Sequence, residues 1–141
     1  KGKEIITLGG IALDRIPKQA RIYCTGTNPK IIKRYQTSVV NNIYGVIGPI
    51  IGVSGLLTGL ARRRNLDAVS ILAETFGHPT YLGVKSAKEI LKVLNNKLNL
   101  HLDVNLLDKE VSEIEKEIAE KTNKINTNKP AKIKKDISYI G

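Results

Sequence analysis

Short apolar runs alternate with helical patterns along most of the chain, and this alternation predicts an α/β protein. The runs typical of strands are Glu4 to Leu8, Ala20 to Thr25 and Asp67 to Glu74. The glycines that follow the first run, Gly9 and Gly10, are expected to end that strand. Because a helical segment separates the second run from the third, we predict a right-handed parallel crossover between them. The whole pattern predicts an open, mostly parallel sheet with flanking helices.

Three segments carry helical signals. The first predicted helix is Pro29 to Gln36, with Asn28 as its cap and the proline in its first turn. The second, from about Pro49 to Arg63, is rich in glycine and ends in arginines. The third runs from Ala87 to about Lys97, with Ser86 as its cap. Its apolar side consists of Ile90, Leu91, Leu94 and Leu98.

Glycines recur at helical spacing in the second helix and in the turn before it. They are Gly45, Gly48, Gly52, Gly55 and Gly59, and Pro49 stands at the predicted helix start. Glycine inside a helix costs about 1 kcal/mol relative to alanine, so the cluster indicates close approach by another backbone or by a ligand. We favour close packing of this helix against a sheet or a neighbouring subunit.

Two other interpretations of the glycine segment stay open. A glycine-rich turn that enters a helix presents free N–H groups to a phosphate, although the spacing is not that of G-x-G-x-x-G. A membrane span is the other, because Gln36 to Ala61 carries no charge and is followed by arginines. Asn41, Asn42 and Pro49 interrupt the apolar stretch, so we do not predict a membrane protein.

Residues 105 to 125 predict a C-terminal amphipathic helix with a narrow apolar seam. The seam consists of Leu107, Val111, Ile114 and Ile118, and glutamates cover the other faces. Such a seam needs a partner, either its own domain or a neighbouring subunit. After residue 120 the composition changes to Asn, Thr, Lys and Pro, which predicts a flexible tail over residues 121 to 141. We therefore divide the chain into a domain, residues 1 to 120, and this tail.

Charge and composition narrow the classes of function. The net charge is +10, and residues 121 to 141 contribute six lysines against one aspartate. Residues 1 to 120 carry seventeen basic and twelve acidic groups, an interleaving that does not favour nucleic-acid binding. The single cysteine, Cys24, excludes an internal disulfide and is consistent with a reducing compartment. Because the only histidines are His78 and His101, we predict no metal site, and we predict no cofactor.

One pair of residues has catalytic potential. Glu74 ends a predicted strand, and His78 follows in the turn before Pro79. Sites form at the ends of strands in open α/β sheets, and a carboxylate with an imidazole can perform acid–base chemistry. The stronger expectation is structural, with Glu74 accepting hydrogen bonds from a loop and His78 sitting in a turn. A nucleotide- or nucleoside-binding enzyme that uses the glycine-rich turn and Glu74 is the alternative function.

Four motifs follow one another at Leu8 to Ala12, Tyr44 to Leu60, Leu72 to Pro79 and Lys85 to Leu91. In this order they resemble the carboxyl half of the archaeal proteasome-assembly-chaperone family, over about residues 3 to 120. The resemblance implies a fold like that of purine nucleoside phosphorylases without their chemistry. It also implies a cytoplasmic, non-enzymatic homo-oligomer that binds the proteasome core particle. Since the chain lacks methionine and the amino half of that family, we expect it to be a fragment of a longer protein.

The resemblance also implies a role for the tail. Proteasome activators of this kind resemble one another in ending with a hydrophobic residue, a tyrosine and one more residue, whose carboxylate pairs with a lysine between core-particle α subunits. The corresponding residues here are Ile137, Tyr139, Ile140 and Gly141, with the tyrosine third from the end instead of second. Two expectations remain open: docking in a shifted register, or weak binding. A flexible linker, an amphipathic tyrosine and a free carboxylate are physically suited to docking.

Overall fold

The described part of the chain forms a four-stranded mixed sheet with helices packed against it. The computed structural model describes residues 2–37, 40–42, 50–79, 81–104, 106, 108–109, 111–114 and 116–117. In chain order the elements are β1 (Glu4–Leu13), β2 (Ile22–Gly26), α1 (Pro29–Tyr35), β3 (Val40–Asn42), α2 (Val53–Arg63), β4 (Asp67–Phe76) and α3 (Val84–Leu98). The strands lie in the order β1-β4-β2-β3. The predicted α/β class is confirmed, in the form of a small mixed sheet.

Strand directions in this sheet differ from the prediction. β4 runs parallel to β1 and antiparallel to β2, and β3 runs parallel to β2. The predicted parallel crossover from the second apolar run to the third is therefore wrong. Every residue of β4 from Ala68 to Glu74 is buried, so this strand occupies the centre and pairs along both edges. An apolar run of this kind specifies burial on both faces, but it does not specify the direction of its neighbours.

The sheet separates two sets of side chains. Alternate residues of a strand point to opposite faces, so Val69 and Ile71 face one side of the sheet and Ser70 faces the other. The first side holds the larger core, in which buried residues of β2, β3 and β4 pack against α1 and α3. On the second side, α2 packs over β1 and β4, and Tyr23 and Leu72 form a smaller cluster. The two faces of the sheet are thus covered by different helices.

β1 continues through the two glycines that were expected to end it. Gly9 pairs with Leu72 and Gly10 with Ala73, in unbroken parallel register with β4. A Cβ on Gly9 would lie 2.9 Å from Cδ2 of Leu72, which is closer than real contacts allow. Glycine here permits close approach of a neighbouring side chain within the strand, instead of a turn.

The helix boundaries show one confirmed cap and two corrections. Asn28 caps α1, and its Oδ1 accepts a hydrogen bond of 3.0 Å from the N–H of Ile31, as predicted. α3 begins three residues before the predicted start, after Gly83 in the left-handed conformation with φ +62°. Ser86 is therefore inside the helix and not its cap. Its hydroxyl instead donates a hydrogen bond of 2.7 Å to the carbonyl oxygen of Glu74.

α2 begins at Val53, four residues after the predicted start at Pro49. Gly52 precedes the helix with φ +89°, a conformation that favours glycine, and it turns the chain into the first helical residue. The expected glycine-rich turn, Gly45 to Pro49, lies outside the described residues.

The predicted C-terminal helix is only partly described. Residues 108–109, 111–114 and 116–117 have helical backbone, whereas Leu107 and Ile118 of the predicted seam lie outside the described residues. The tail over 121–141 also lies outside them. The helix as a whole, the division at residue 120 and the flexible tail therefore stay predictions.

Candidate functional site

Glu74 lies at the centre of a polar cluster where β4 meets the start of β2. Its carboxylate is buried and accepts hydrogen bonds from the backbone N–H of Arg21 (3.2 Å) and from Arg21 Nε (2.8 Å). Arg21 Nη2 lies 2.6 Å from the same carboxylate, and the hydroxyl of Tyr23 donates a longer bond of 3.4 Å. The backbone N–H of Glu74 donates in turn to the Arg21 carbonyl at 3.0 Å. Glu74 thereby fixes the residue that leads into β2.

The electrostatics of this cluster favour the ionised carboxylate. The hydrogen bond from the Arg21 side chain holds the pKa of Glu74 below its usual range, against the opposing effect of burial. Burial and the neighbouring carboxylate raise the pKa of Tyr23. A general base that works near neutral pH needs a carboxyl pKa raised toward 7. The arrangement around Glu74 is that of a structural ion pair.

His78, the second residue of the predicted pair, packs in an aromatic cluster after β4. Its ring stacks on Phe76 with centroids 5.5 Å apart and planes inclined by 12°. Tyr81 meets the same phenyl ring edge-on at 5.7 Å. The structure gives Glu74 and His78 packing and hydrogen-bonding partners of their own, and the proposed acid–base role stays a prediction.

Two described glycines of the predicted stripe have different surroundings. A Cβ on Gly55 would overlap the carbonyl oxygen of Ile50, so close approach at this position comes from the turn before α2. A Cβ on Gly59 would meet nothing within 4 Å. The sheet is contacted by other residues of α2, so the glycines do not form the helix–sheet interface that we expected.

The inner face of α2 is polar or small. Thr58 Oγ1 lies 2.8 Å from Ser70 Oγ on β4, Ser54 Oγ donates a long bond of 3.5 Å to the Leu8 carbonyl, and Ala61 is buried. Leucines and a valine occupy the outer face instead. Val53, Leu56, Leu57 and Leu60 are all exposed to solvent. Our sequence analysis missed this exposed stripe, although its spacing of three, four and seven residues is the signal of one helix face.

The described residues of the predicted seam lie near α3. Val111 is buried beside α3, whereas Ile114 is partly exposed. Both line an apolar groove of about 360 Å³ that also contains Leu8, Leu91 and Leu94. Lys88 on α3 forms an ion pair with Asp108, which fastens the start of this segment to the same helix. In the described part of the seam, docking on its own domain accounts for Val111 but leaves Ile114 accessible.

A polar groove runs between the loop before β2 and the outer side of α3. Two adjoining cavities of about 610 and 400 Å³ share Gln19, Ala20, Glu89 and Lys92. Several of the lysines that line them lie at the surface, and Lys92 pairs with Glu89 at 2.6 Å. Among the residues that the structure describes, no cluster of three or more His, Cys, Asp or Glu could hold a metal ion. None of the described helices is long and apolar enough to cross a bilayer.

The proposed docking residues of the tail, Ile137, Tyr139, Ile140 and Gly141, lie outside the described residues. Their role cannot be assessed from geometry, so evidence from related proteins carries more weight. The sequence model of the PAC2 family matches residues 1–122. The chain belongs to the PAC2 family. This result confirms the resemblance to proteasome-assembly chaperones that the four motifs indicated.

Solved structures of PAC2-type proteins are similar to this chain. Pyrococcus furiosus PbaA, described as an archaeal homolog of proteasome-assembly chaperone, has a TM-score of 0.73 and 26% identity. The match covers 89% of this chain and 51% of PbaA. P. furiosus PbaB, described as an archaeal proteasome activator, has a TM-score of 0.72 and 30% identity, covering 86% of this chain and 51% of PbaB.

An uncharacterized protein of Methanocaldococcus jannaschii is 31% identical over 119 residues. That match covers 84% of this chain and 46% of the relative. This PAC2 chain therefore spans about half the length of the proteins that it matches.

Proposed function

We propose that this PAC2 chain is a proteasome assembly chaperone or a core-particle-binding adaptor. The observation that carries the proposal is the PAC2 match over residues 1–122, together with the similarity to PbaA and PbaB. The α/β domain serves as a cytoplasmic, oligomeric scaffold, and the C-terminal tail docks onto α subunits of the core particle. Several tails on one oligomer raise the effective concentration of the docking groups, so each tail can bind weakly.

The chemistry of the tail supports docking. A lysine-rich linker provides reach, Tyr139 supplies an amphipathic anchor, and the carboxylate of Gly141 can form a charge-assisted bond with a lysine. The Glu74 cluster supports the non-enzymatic part of the proposal, because its carboxylate is held ionised by Arg21 and Tyr23. The alternative, a nucleotide- or nucleoside-binding enzyme, requires that carboxylate to be available to a ligand.

Deletion of Ser138 to Gly141 tests the tail directly. We expect the deletion to abolish co-sedimentation with the core particle while the oligomer size is unchanged. Tyr139→Phe is the matched control, because it keeps the ring and the terminal carboxylate. Core-particle binding that survives the deletion would refute docking by the tail. Nucleotide binding that is lost in Glu74→Gln, without any affinity for the core particle, would support the enzyme instead.

Removal of Gly141 alone distinguishes the two expectations for register. The shortened chain carries Tyr139 second from its end, as in the activators that this family resembles. Tighter binding would indicate that the native tail is a weak binder because of its extra residue. Weaker binding would indicate that the Gly141 carboxylate itself docks in a shifted register.

A further inference from the structure

The charges of this chain are separated along the sequence. Residues 15 to 66 contain nine basic residues and no aspartate or glutamate. Residues 103 to 120 contain seven acidic residues and two lysines. Such segregation creates oppositely charged surfaces, which favour association in a defined orientation.

The basic region includes a helix whose apolar side faces outward. Val53 and Leu56 on α2 are 66% and 62% exposed, and Leu57 and Leu60 continue the same stripe. The exposed Arg62, Arg63 and Arg64 follow directly. We call Val53, Leu56, Leu57, Leu60 and these arginines the α2 outer face. A helix that is polar or small toward its own sheet and apolar toward solvent is typical of an element placed between two layers.

The acidic region also exposes apolar side chains. Leu106 is 71% exposed, and Ile114 is exposed beside Glu113 on the helical residues 111–114. Leu98 and Leu102 extend this surface, because Leu98 continues the face of α3 that bears Leu94. We call Leu98, Leu102, Leu106, Glu113 and Ile114 the C-terminal acidic surface.

Leu102 is held in place by Asn95 of α3. The Asn95 amide donates to the Leu102 carbonyl at 3.0 Å and accepts from its N–H at 2.9 Å. The ion pair between Lys88 and Asp108 fixes the chain farther along. The C-terminal acidic surface is therefore fastened to α3 at two points.

The two surfaces belong to opposite sides of the sheet. Thr58 of α2 contacts Ser70, whereas Ile90 and Val93 of α3 pack in the core with Val69 and Ile71. Adjacent residues of β4 point in opposite directions, so α2 and α3 lie on opposite faces. One molecule cannot bring its own two surfaces together, but two neighbouring copies can.

We propose that the α2 outer face of one copy packs against the C-terminal acidic surface of the next copy. The contact pairs leucines with leucines and places Arg62 to Arg64 near glutamates. It deepens the oligomeric scaffold of the proposed function, on which it rests. Because the two surfaces differ, the contact is head-to-tail, and its repetition closes a ring when the rotation between copies permits.

A two-fold contact of α2 with itself satisfies fewer groups. It would cover the leucine stripe twice, but it would leave both the arginines and the acidic residues 103 to 120 without opposite charges. The head-to-tail contact buries both exposed apolar surfaces and neutralises both charges. A stable interface needs about 800 Å² from each partner, so the contact must include more than one helix stripe. The C-terminal acidic surface, which extends from α3 to residue 114, provides that breadth.

A mixing experiment on the full chain tests this arrangement. One variant breaks the α2 outer face with Leu56→Asp and Leu60→Asp, and the other breaks the C-terminal acidic surface with Leu106→Asp and Ile114→Asp. Leu82→Asp is the matched control, since this leucine is 70% exposed and outside both surfaces. Light scattering gives the molar mass, and circular dichroism verifies that each variant is folded.

We expect the original chain and the Leu82 control to form oligomers of the same size, while each double variant alone is a monomer. A one-to-one mixture of the two double variants should then form a dimer with one molecule of each, since it keeps one intact contact. A monomeric original chain, either double variant that keeps the oligomer, or a mixture that stays monomeric overturns the proposal. Should a double variant be unfolded, Arg63→Glu and Glu113→Lys replace the pairs with the same expected pattern.

The experiment uses the purified chain without core particle. Its outcome is therefore separate from co-sedimentation, which tests the proposed function. An oligomer that persists in both double variants would overturn the contact and leave the chaperone role standing. Loss of core-particle binding with the expected heterodimer would leave the contact standing and refute the role.

Discussion

The hydroxyls of Thr58 and Ser70 are 2.8 Å apart and join the inner face of α2 to the central strand. Ser70 is also 2.7 Å from the hydroxyl of Thr7, so one serine links α2, β4 and β1. Ser70 is fully buried and Thr7 nearly so. The inner face of α2 is thus held by hydrogen bonds, and its leucines remain on the outside.

Replacement of Ser70 by alanine should lower the free energy of unfolding by about 1 to 3 kcal/mol, because it leaves the buried Thr7 hydroxyl without this partner. Urea denaturation followed by circular dichroism measures the change. Ser112→Ala, at an exposed position, is the control and should change stability by less than about 0.5 kcal/mol. Equal stability of the two variants would contradict the importance of the hydroxyl chain.

Two alanine substitutions in α2 should have opposite effects on stability. In Gly55→Ala the new methyl group overlaps the Ile50 carbonyl oxygen, and we expect a loss of about 1 to 3 kcal/mol. In Gly59→Ala the methyl group meets open space, so helix propensity should add about 0.5 to 1 kcal/mol. Thermal unfolding of the two variants side by side measures the difference. The same sign for both would show that the turn before α2 does not restrict Gly55.

Glu74→Gln should destabilise the chain at neutral pH and much less in acid. The hydrogen bond from the Arg21 side chain lowers the pKa of Glu74 in the folded chain, so the ionised carboxylate stabilises the fold above its usual titration range. This stabilisation disappears as the pH falls through the lowered pKa. The difference in melting temperature between the original chain and Glu74→Gln should therefore shrink toward zero in acid. A difference that grows on acidification would contradict the ion pair.

Cys24 should react with a thiol reagent only when the chain unfolds. The side chain is fully buried in the core, and burial raises the pKa of its thiol, so both access and thiolate are suppressed. A chromogenic disulfide reagent should label the protein slowly in buffer and at once in denaturant. Rapid labelling in buffer would mean that the core around β2 is open.

Local chemistry made some of these features predictable. Asn28 before Pro29 specifies a helix start by itself, since the side chain and the ring act on the next few residues. The burial of β4 followed from its apolar run. The family was also predictable, because the order of four motifs is a property of the sequence alone.

Features that depend on distant contacts were not predictable. The antiparallel pairing of β2 with β4 depends on the path of about forty intervening residues, which no local pattern encodes. α2 starts at Val53 because Gly52 has a positive φ, although Pro49 has the stronger start signal. Ser86 looked like a cap but donates to the Glu74 carbonyl, a partner twelve residues away. Glu74 itself was identified, whereas its main partner, Arg21, could not be found from spacing.

Native mass spectrometry of the full chain, with and without proteasome α subunits, tests the central claim most directly. The account predicts a complex of this PAC2 chain with α subunits that is lost when Ser138 to Gly141 are deleted. Absence of any complex, or a complex that persists without those residues, would contradict it.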